Sequence, residues 1–180
     1  MALCVYTIGH STRGFEEFIV FLRRHEIEVL ADVRAFPTSA RYPHFSRAEL
    51  KRRLPEEGIE YHWLGEGLGG YRRTGLGERS PNRGWTSEGF RNYADHMLTA
   101  EFERGIERLL ELAREKRLAL MCAERFWWRC HRRLISDYLV AKGHRVVHII
   151  DESRTVEHKL PEFAKVIDGQ LVYPGSEPHE

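Results

Sequence analysis

Short apolar runs alternate along the chain with longer stretches in which apolar residues recur every three or four positions. Cys4–Ile8, Glu28–Val33, Leu118–Met121 and Arg145–Ile150 are the short runs, dominated by Val, Ile and Leu. Their nearly unbroken apolar character suits strands covered on both faces within a parallel sheet. Ile59–Leu64 alternates instead, which predicts a half-exposed strand. Helical spacing links Phe15, Phe18, Ile19 and Leu22, then Phe90, Tyr93, Ala94 and Met97. It links Phe102, Ile106 and Leu109 as well, and finally Leu134, Ile135, Tyr138 and Leu139.

Local signals place the ends of these elements. Glu16 and Glu17 fall in the first turn of one helix, where the helix dipole favours carboxylates. Ser46 and Glu49 have capping-box spacing, and Thr86-Ser87-Glu88 resembles a second helix start. Gly58 ends one segment, and Gly143 terminates the last helix after Lys142. Asp168-Gly169, between apolar runs, has the pattern of a two-residue type I′ hairpin. The succession of strands and helices predicts an α/β fold, a mainly parallel sheet flanked by helices with a short C-terminal hairpin. At 180 residues, without a long linker, repeat or low-complexity segment, one domain over residues 1–180 is expected.

Composition narrows the partners. The 28 Lys and Arg nearly balance the 27 Asp and Glu, so a generally basic coat for nucleic acid is excluded. The middle of the chain is nevertheless basic and the tail from Asp151 acidic. No run of twenty apolar residues is present and MALCVYTIGH lacks the features of a signal peptide, so a cytoplasmic protein without a membrane partner is expected. Three cysteines, Cys4, Cys122 and Cys130, favour thiols over a disulfide framework.

The chemistry is concentrated where the apolar runs stop. Gly9, His10, Ser11 and Thr12 follow the first run, while Asp32 and Arg34 close the second and lead into AFPTSARYPHFS. Cys122, Glu124, Phe126, Trp127, Trp128, Cys130, His131 and Arg132 lie between the Leu118 run and the last helix. Crevices at the carboxyl ends of strands bind ligands in open α/β sheets, and helix amino ends there favour anions. The glycine-rich stretch Gly65–Gly84 reads as a flexible connection or as a loop whose Gly69 and Gly70 approach a ligand beside Arg72.

Two alternatives fail on spacing. From Cys122 the next arginines are Arg125 and Arg129, which does not match a cysteine phosphatase loop. No Cys-x-x-Cys knuckle supports structural zinc, although His10, Asp32, Cys122, Glu124 and His131 leave a catalytic metal open.

TIGHS (Thr7–Ser11), DVRAFPTS (Asp32–Ser39), GIEYHWLGEGLGG followed by Arg72, LMCAE (Leu120–Glu124), CHR (Cys130–Arg132) and GHRVVHI (Gly143–Ile149) run in one order over nearly the whole chain. Together they resemble the bacterial and archaeal family catalogued as domain of unknown function 488. The resemblance implies a single α/β domain and supplies no activity. The residues themselves point to an enzyme acting on a phosphate-bearing or nucleobase-containing substrate in an anion-accepting pocket.

In that reading Glu124, His131 and Asp32 are catalytic, and His10, Ser11, Arg34, Arg72, Cys122, Cys130 and Arg132 bind ligand. The cofactor and the oligomeric state stay open. Two other readings compete. One is a non-catalytic module for nucleic acid or nucleotide, using the same arginines and aromatics. The other is a buried ion-pair network of Asp32, Arg34, Glu124 and Arg132.

Overall fold

The computed structural model describes residues 1–175, so residues 176–180 at the end of the acidic tail lie outside it. Strands β1 (Cys4–Gly9), β2 (Val29–Asp32), β3 (Glu60–Trp63), β4 (Leu118–Cys122), β5 (Arg145–Ile149) and β6 (Thr155–Glu157) form one sheet in the order β3-β2-β4-β1-β5-β6. The first five are mutually parallel, and β6 adds an antiparallel edge to β5. The glycine, aspartate and cysteine that end β1, β2 and β4 therefore stand on neighbouring strands at one edge of the sheet.

Alternation along the central strand divides the core between two helical layers. Leu118, Leu120 and Cys122 of β4 pack on α4 (Glu88–His96), α5 (Ala100–Glu115) and α6 (Arg132–Ala141). Ala119 and Met121 point the other way, onto α1 (Phe15–Arg24) and α2 (Arg47–Arg53). Every β4 residue is buried, which is why its sequence lacks polar alternation. Each fully buried Leu or Ile contributes about 2 kcal/mol of burial free energy, so the two layers drive the fold together.

Local chemistry sets most of the boundaries. Ser87 and Thr99 cap α4 and α5 by accepting from the backbone N–H groups of Phe90 and Phe102. Gly143 takes a φ of 92° after α6, a conformation that costs glycine little. Asp168 and Gly169 both have positive φ and join β7 (Lys165–Ile167) to β8 (Gln170–Val172), the separate C-terminal hairpin.

Some expectations need correction. The capping box at Ser46 does not form, because the Ser46 hydroxyl donates to the Pro43 carbonyl at 2.7 Å and closes a preceding 3-10 turn. Gly65–Gly84 is not a flexible connection. It begins with α3 (Gly65–Leu68), and the buried Asp95 carboxylate then gathers Leu76 N–H at 2.8 Å, the Ser80 hydroxyl and Asn82 Nδ2 at 2.8 Å. Gly69 is required by packing, because a Cβ there would lie 2.7 Å from the Ala35 Cα, whereas one on Gly70 would make a tight contact, 3.0 Å from His131 Nδ1. No helix among the described residues is long and apolar enough to cross a membrane.

Candidate functional site

The chain leaves β1 and β2 toward helices on one face of the sheet and leaves β4 toward α6 on the other. Where neighbouring connections diverge in this way, a crevice opens at the carboxyl ends of the strands. Here it is a cleft of about 1160 Å³ around the end of β4. Of the residues expected at a site, Arg34, Arg72, Cys122, Glu124, Cys130 and His131 line it. His10, Ser11, Asp32 and Arg132 are not among its walls.

Asp32 stands behind Arg34. Its carboxylate is fully buried and accepts from Arg34 N–H at 3.1 Å, Nε at 2.9 Å and Nη2 at 2.7 Å, and from the Tyr61 hydroxyl. His10 donates from Nδ1 to the Ser11 carbonyl at 2.9 Å, which leaves Nε2 to accept from Arg34 Nη1 at 3.3 Å. Burial, with the Arg34 guanidinium close by, lowers the His10 pKa to about 4 and keeps the ring neutral. Three of the five guanidinium N–H donors are thereby used inside the protein.

Arg132 is only 1 % exposed and lies beneath the cleft. It donates to the Thr7 hydroxyl at 3.2 Å and to the backbone carbonyls of Glu124 at 3.0 Å and Arg125 at 3.2 Å. Arg132 therefore holds the turn that carries Glu124, and the four-residue ion-pair network is not formed: only Asp32 and Arg34 pair. Arg72 crosses back to α3, bonding the carbonyls of Gly69 at 3.2 Å and Glu66 at 3.0 Å.

His131 donates from Nε2 to the Val33 carbonyl at 2.8 Å, so Nδ1 keeps its lone pair; burial lowers its pKa. The sulfurs of Cys122 and Cys130 are 3.1 Å apart. Burial pushes the Cys122 thiol up, whereas the Cys130 thiol is pulled down by the hydrogen bond from Cys122 and by the positive charge of Arg132. Among the described residues no three His, Cys, Asp or Glu side chains are grouped so as to hold a metal ion.

Sequence reasoning missed several groups. Phe36 and Tyr71, 67 % and 83 % exposed, pair with ring centroids 5.5 Å apart at the cleft, and Tyr71 holds a φ of 61° that is unusual for a residue with a side chain. Phe36 lies inside the DVRAFPTS block and Tyr71 directly after Gly70, so position relative to the strand ends was the available signal. The three consecutive aromatics divide. Trp127 turns inward and stacks on His148 at 4.4 Å, while Phe126 and Trp128 stack on each other at 4.8 Å in partly exposed positions.

His148 of β5 is a fully buried and satisfied core residue. Thr7, His148, His158, Asp137 and Tyr173 form a buried hydrogen-bonded chain. The Thr7 hydroxyl donates to His148, His148 to His158, and His158 and Tyr173 to the Asp137 carboxylate, with successive distances of 2.6, 2.9, 2.6 and 2.7 Å.

These features define a class: a parallel-sheet α/β protein with a cleft walled by arginines and aromatics at the carboxyl ends of its central strands. Residues 14–139 match the model of the family described as domain of unknown function DUF488, and the chain belongs to that family. No curated protein and no solved structure matches it.

Proposed function

We propose that this protein is an enzyme acting on a substrate that carries both a nucleobase and a phosphate, bound in the cleft. One observation carries the reading: the exposed Phe36–Tyr71 pair joins the loops after β2 and α3, the Phe126–Trp128 pair comes from the loop after β4, and Phe36, Tyr71 and Trp128 line the same cleft as Arg34, Arg72, Arg73 and Arg129. Exposed aromatic faces beside guanidinium groups suit base stacking and phosphate neutralisation, with stacking worth about 1–3 kcal/mol per base. Glu124 and the unprotonated His131 Nδ1 are the acid–base groups in this scheme, while Asp32 and His10 position Arg34 and Arg132 positions the Glu124 turn.

Calorimetric titration with inorganic phosphate, nucleotides and short oligonucleotides tests the reading. Nucleotides or oligonucleotides bind more tightly than phosphate, and Trp128→Ala weakens them by about tenfold or more. Failure of every nucleobase-containing ligand to bind overturns it. Binding in which no bound nucleotide is chemically altered, in wild type and in Glu124→Gln alike, makes the protein a binding module.

A further inference from the structure

A second feature of the cleft does not depend on which ligand it binds. Cys122 is the last residue of β4 and Cys130 lies just before α6, so the two close the base of the loop that carries Phe126, Trp127 and Trp128. Both line the cleft; Cys122 is buried and Cys130 half-buried. Their sulfurs, 3.1 Å apart, need to approach by only about 1 Å to reach the roughly 2.05 Å of an S–S bond. Cys4 cannot take part, because it pairs with Arg145 at the opposite end of β1.

We propose that Cys122 and Cys130 form a dithiol redox site in which Cys130 reduces a hydroperoxide and Cys122 resolves the oxidised sulfur. Cys130 is the attacking thiolate because it is the one that reaches the cleft surface. Facing it are the Cys122 S–H from β4, His131 and the Arg132 N–H and guanidinium from α6, and Tyr93 from α4. The Cys122 S–H also lies 3.5 Å from the Glu124 carbonyl, but one proton serves one acceptor, and a thiolate is the stronger acceptor of the two. This arrangement lowers the Cys130 pKa, and burial raises that of Cys122, which gives the pair distinct roles.

In the first step the Cys130 thiolate attacks one peroxide oxygen. An S–O bond forms, the O–O bond breaks, and the leaving oxygen takes a proton and departs as alcohol or water. The sulfur loses two electrons to become a sulfenic acid, and the peroxide gains them. In the second step Cys122 attacks that sulfur: the S–S bond forms, the S–O bond breaks, and the Cys122 proton leaves with the hydroxyl as water. Two equivalents of a small-molecule thiol restore the dithiol by exchange and leave as their own disulfide.

The test uses the intact protein and hydrogen peroxide at one equivalent. The expected result is loss of two hydrogens in intact mass, and a proteolytic map in which the peptides containing Cys122 and Cys130 are joined. Cys122→Ser then accumulates a sulfenic acid at Cys130 that dimedone traps, and Cys130→Ser forms neither product. Wild-type alkylation by iodoacetamide, mapped to Cys130, supplies a readout that needs no variant. An ordinary thiol of pKa about 8.5 slows roughly 90-fold between pH 7.5 and 5.5, whereas Cys130 slows by no more than about fivefold. A joined pair involving Cys4, no joined pair at all, or alkylation of Cys130 with the ordinary pH profile overturns the proposal.

Discussion

At the scale of single residues, the neutral histidines make stability depend on pH. Burial depresses the pKa of His10 to about 4 and that of His148 to about 2, both below the ordinary value near 6.5. Unfolded, each binds a proton that the folded protein refuses, so stability rises with pH. The contribution is complete above about pH 6.5 and is lost as pH falls toward the folded values. Between pH 7 and pH 5 the loss is about 2 kcal/mol for each residue. Scanning calorimetry at the two pH values should show it, and His148→Gln should shrink the difference by about 2 kcal/mol, leaving the His10 contribution in place. Asp32→Asn should cost about 3 kcal/mol in urea unfolding, because the buried Arg34 then lacks its counter-charge. On the acid–base roles proposed above, Glu124→Gln and His131→Asn should each lower turnover by about 100-fold or more, and Glu124→Gln, at a partly exposed position, should leave the melting temperature nearly unchanged.

Among the elements, the turn after β4 is the one on which the cleft depends most. His10 N–H donates to the Cys122 carbonyl at 2.9 Å and Ser11 N–H to the Ala123 carbonyl at 3.0 Å, so the end of β1 runs against the start of the Glu124 turn. That approach leaves no room for a side chain on Gly9, where a Cβ would overlap the Glu124 carbonyl. Gly9→Ala should therefore cost about 3 kcal/mol in chemical denaturation, as overpacking against backbone does. It should also weaken ligand binding in calorimetry more than Asp32→Asn does, since it displaces the turn itself. The TIGHS block suggested a glycine at a strand end, but only the juxtaposition of β1 and β4 shows what that glycine is opposed to.

For the molecule as a whole, the buried chain from Thr7 to Tyr173 ties the sheet to the C-terminal segment. Asp137 of α6 accepts from His158 and Tyr173, both beyond residues 14–139 that match the family model. Tyr173→Phe removes one donor and should lower stability by about 1–2 kcal/mol. Deleting residues 158–180 removes both donors and should cost more than 3 kcal/mol in urea unfolding. A truncation that leaves stability unchanged would show that neither these donors nor the core contacts of Ala164 and Leu171 stabilise the sheet.

The sequence by itself determined the α/β class, the central buried strand, the helix faces and the hairpin turn, because those follow from periodicity and from backbone chemistry a few residues long. It also placed polar motifs at the ends of three strands, and the parallel register of β2, β4 and β1 brought those ends side by side. Pairings between distant positions were decided only by the tertiary structure. Asp32 with Tyr61, His131 with the Val33 carbonyl, Arg132 with the Glu124 turn and Asp137 with Tyr173 are examples. Strand order and the opposite exits from β4 and its neighbours decide which polar residue reaches the cleft and which serves beneath it. No local pattern encodes that division, because it depends on which backbone carbonyls and carboxylates the folded layers bring within hydrogen-bonding distance.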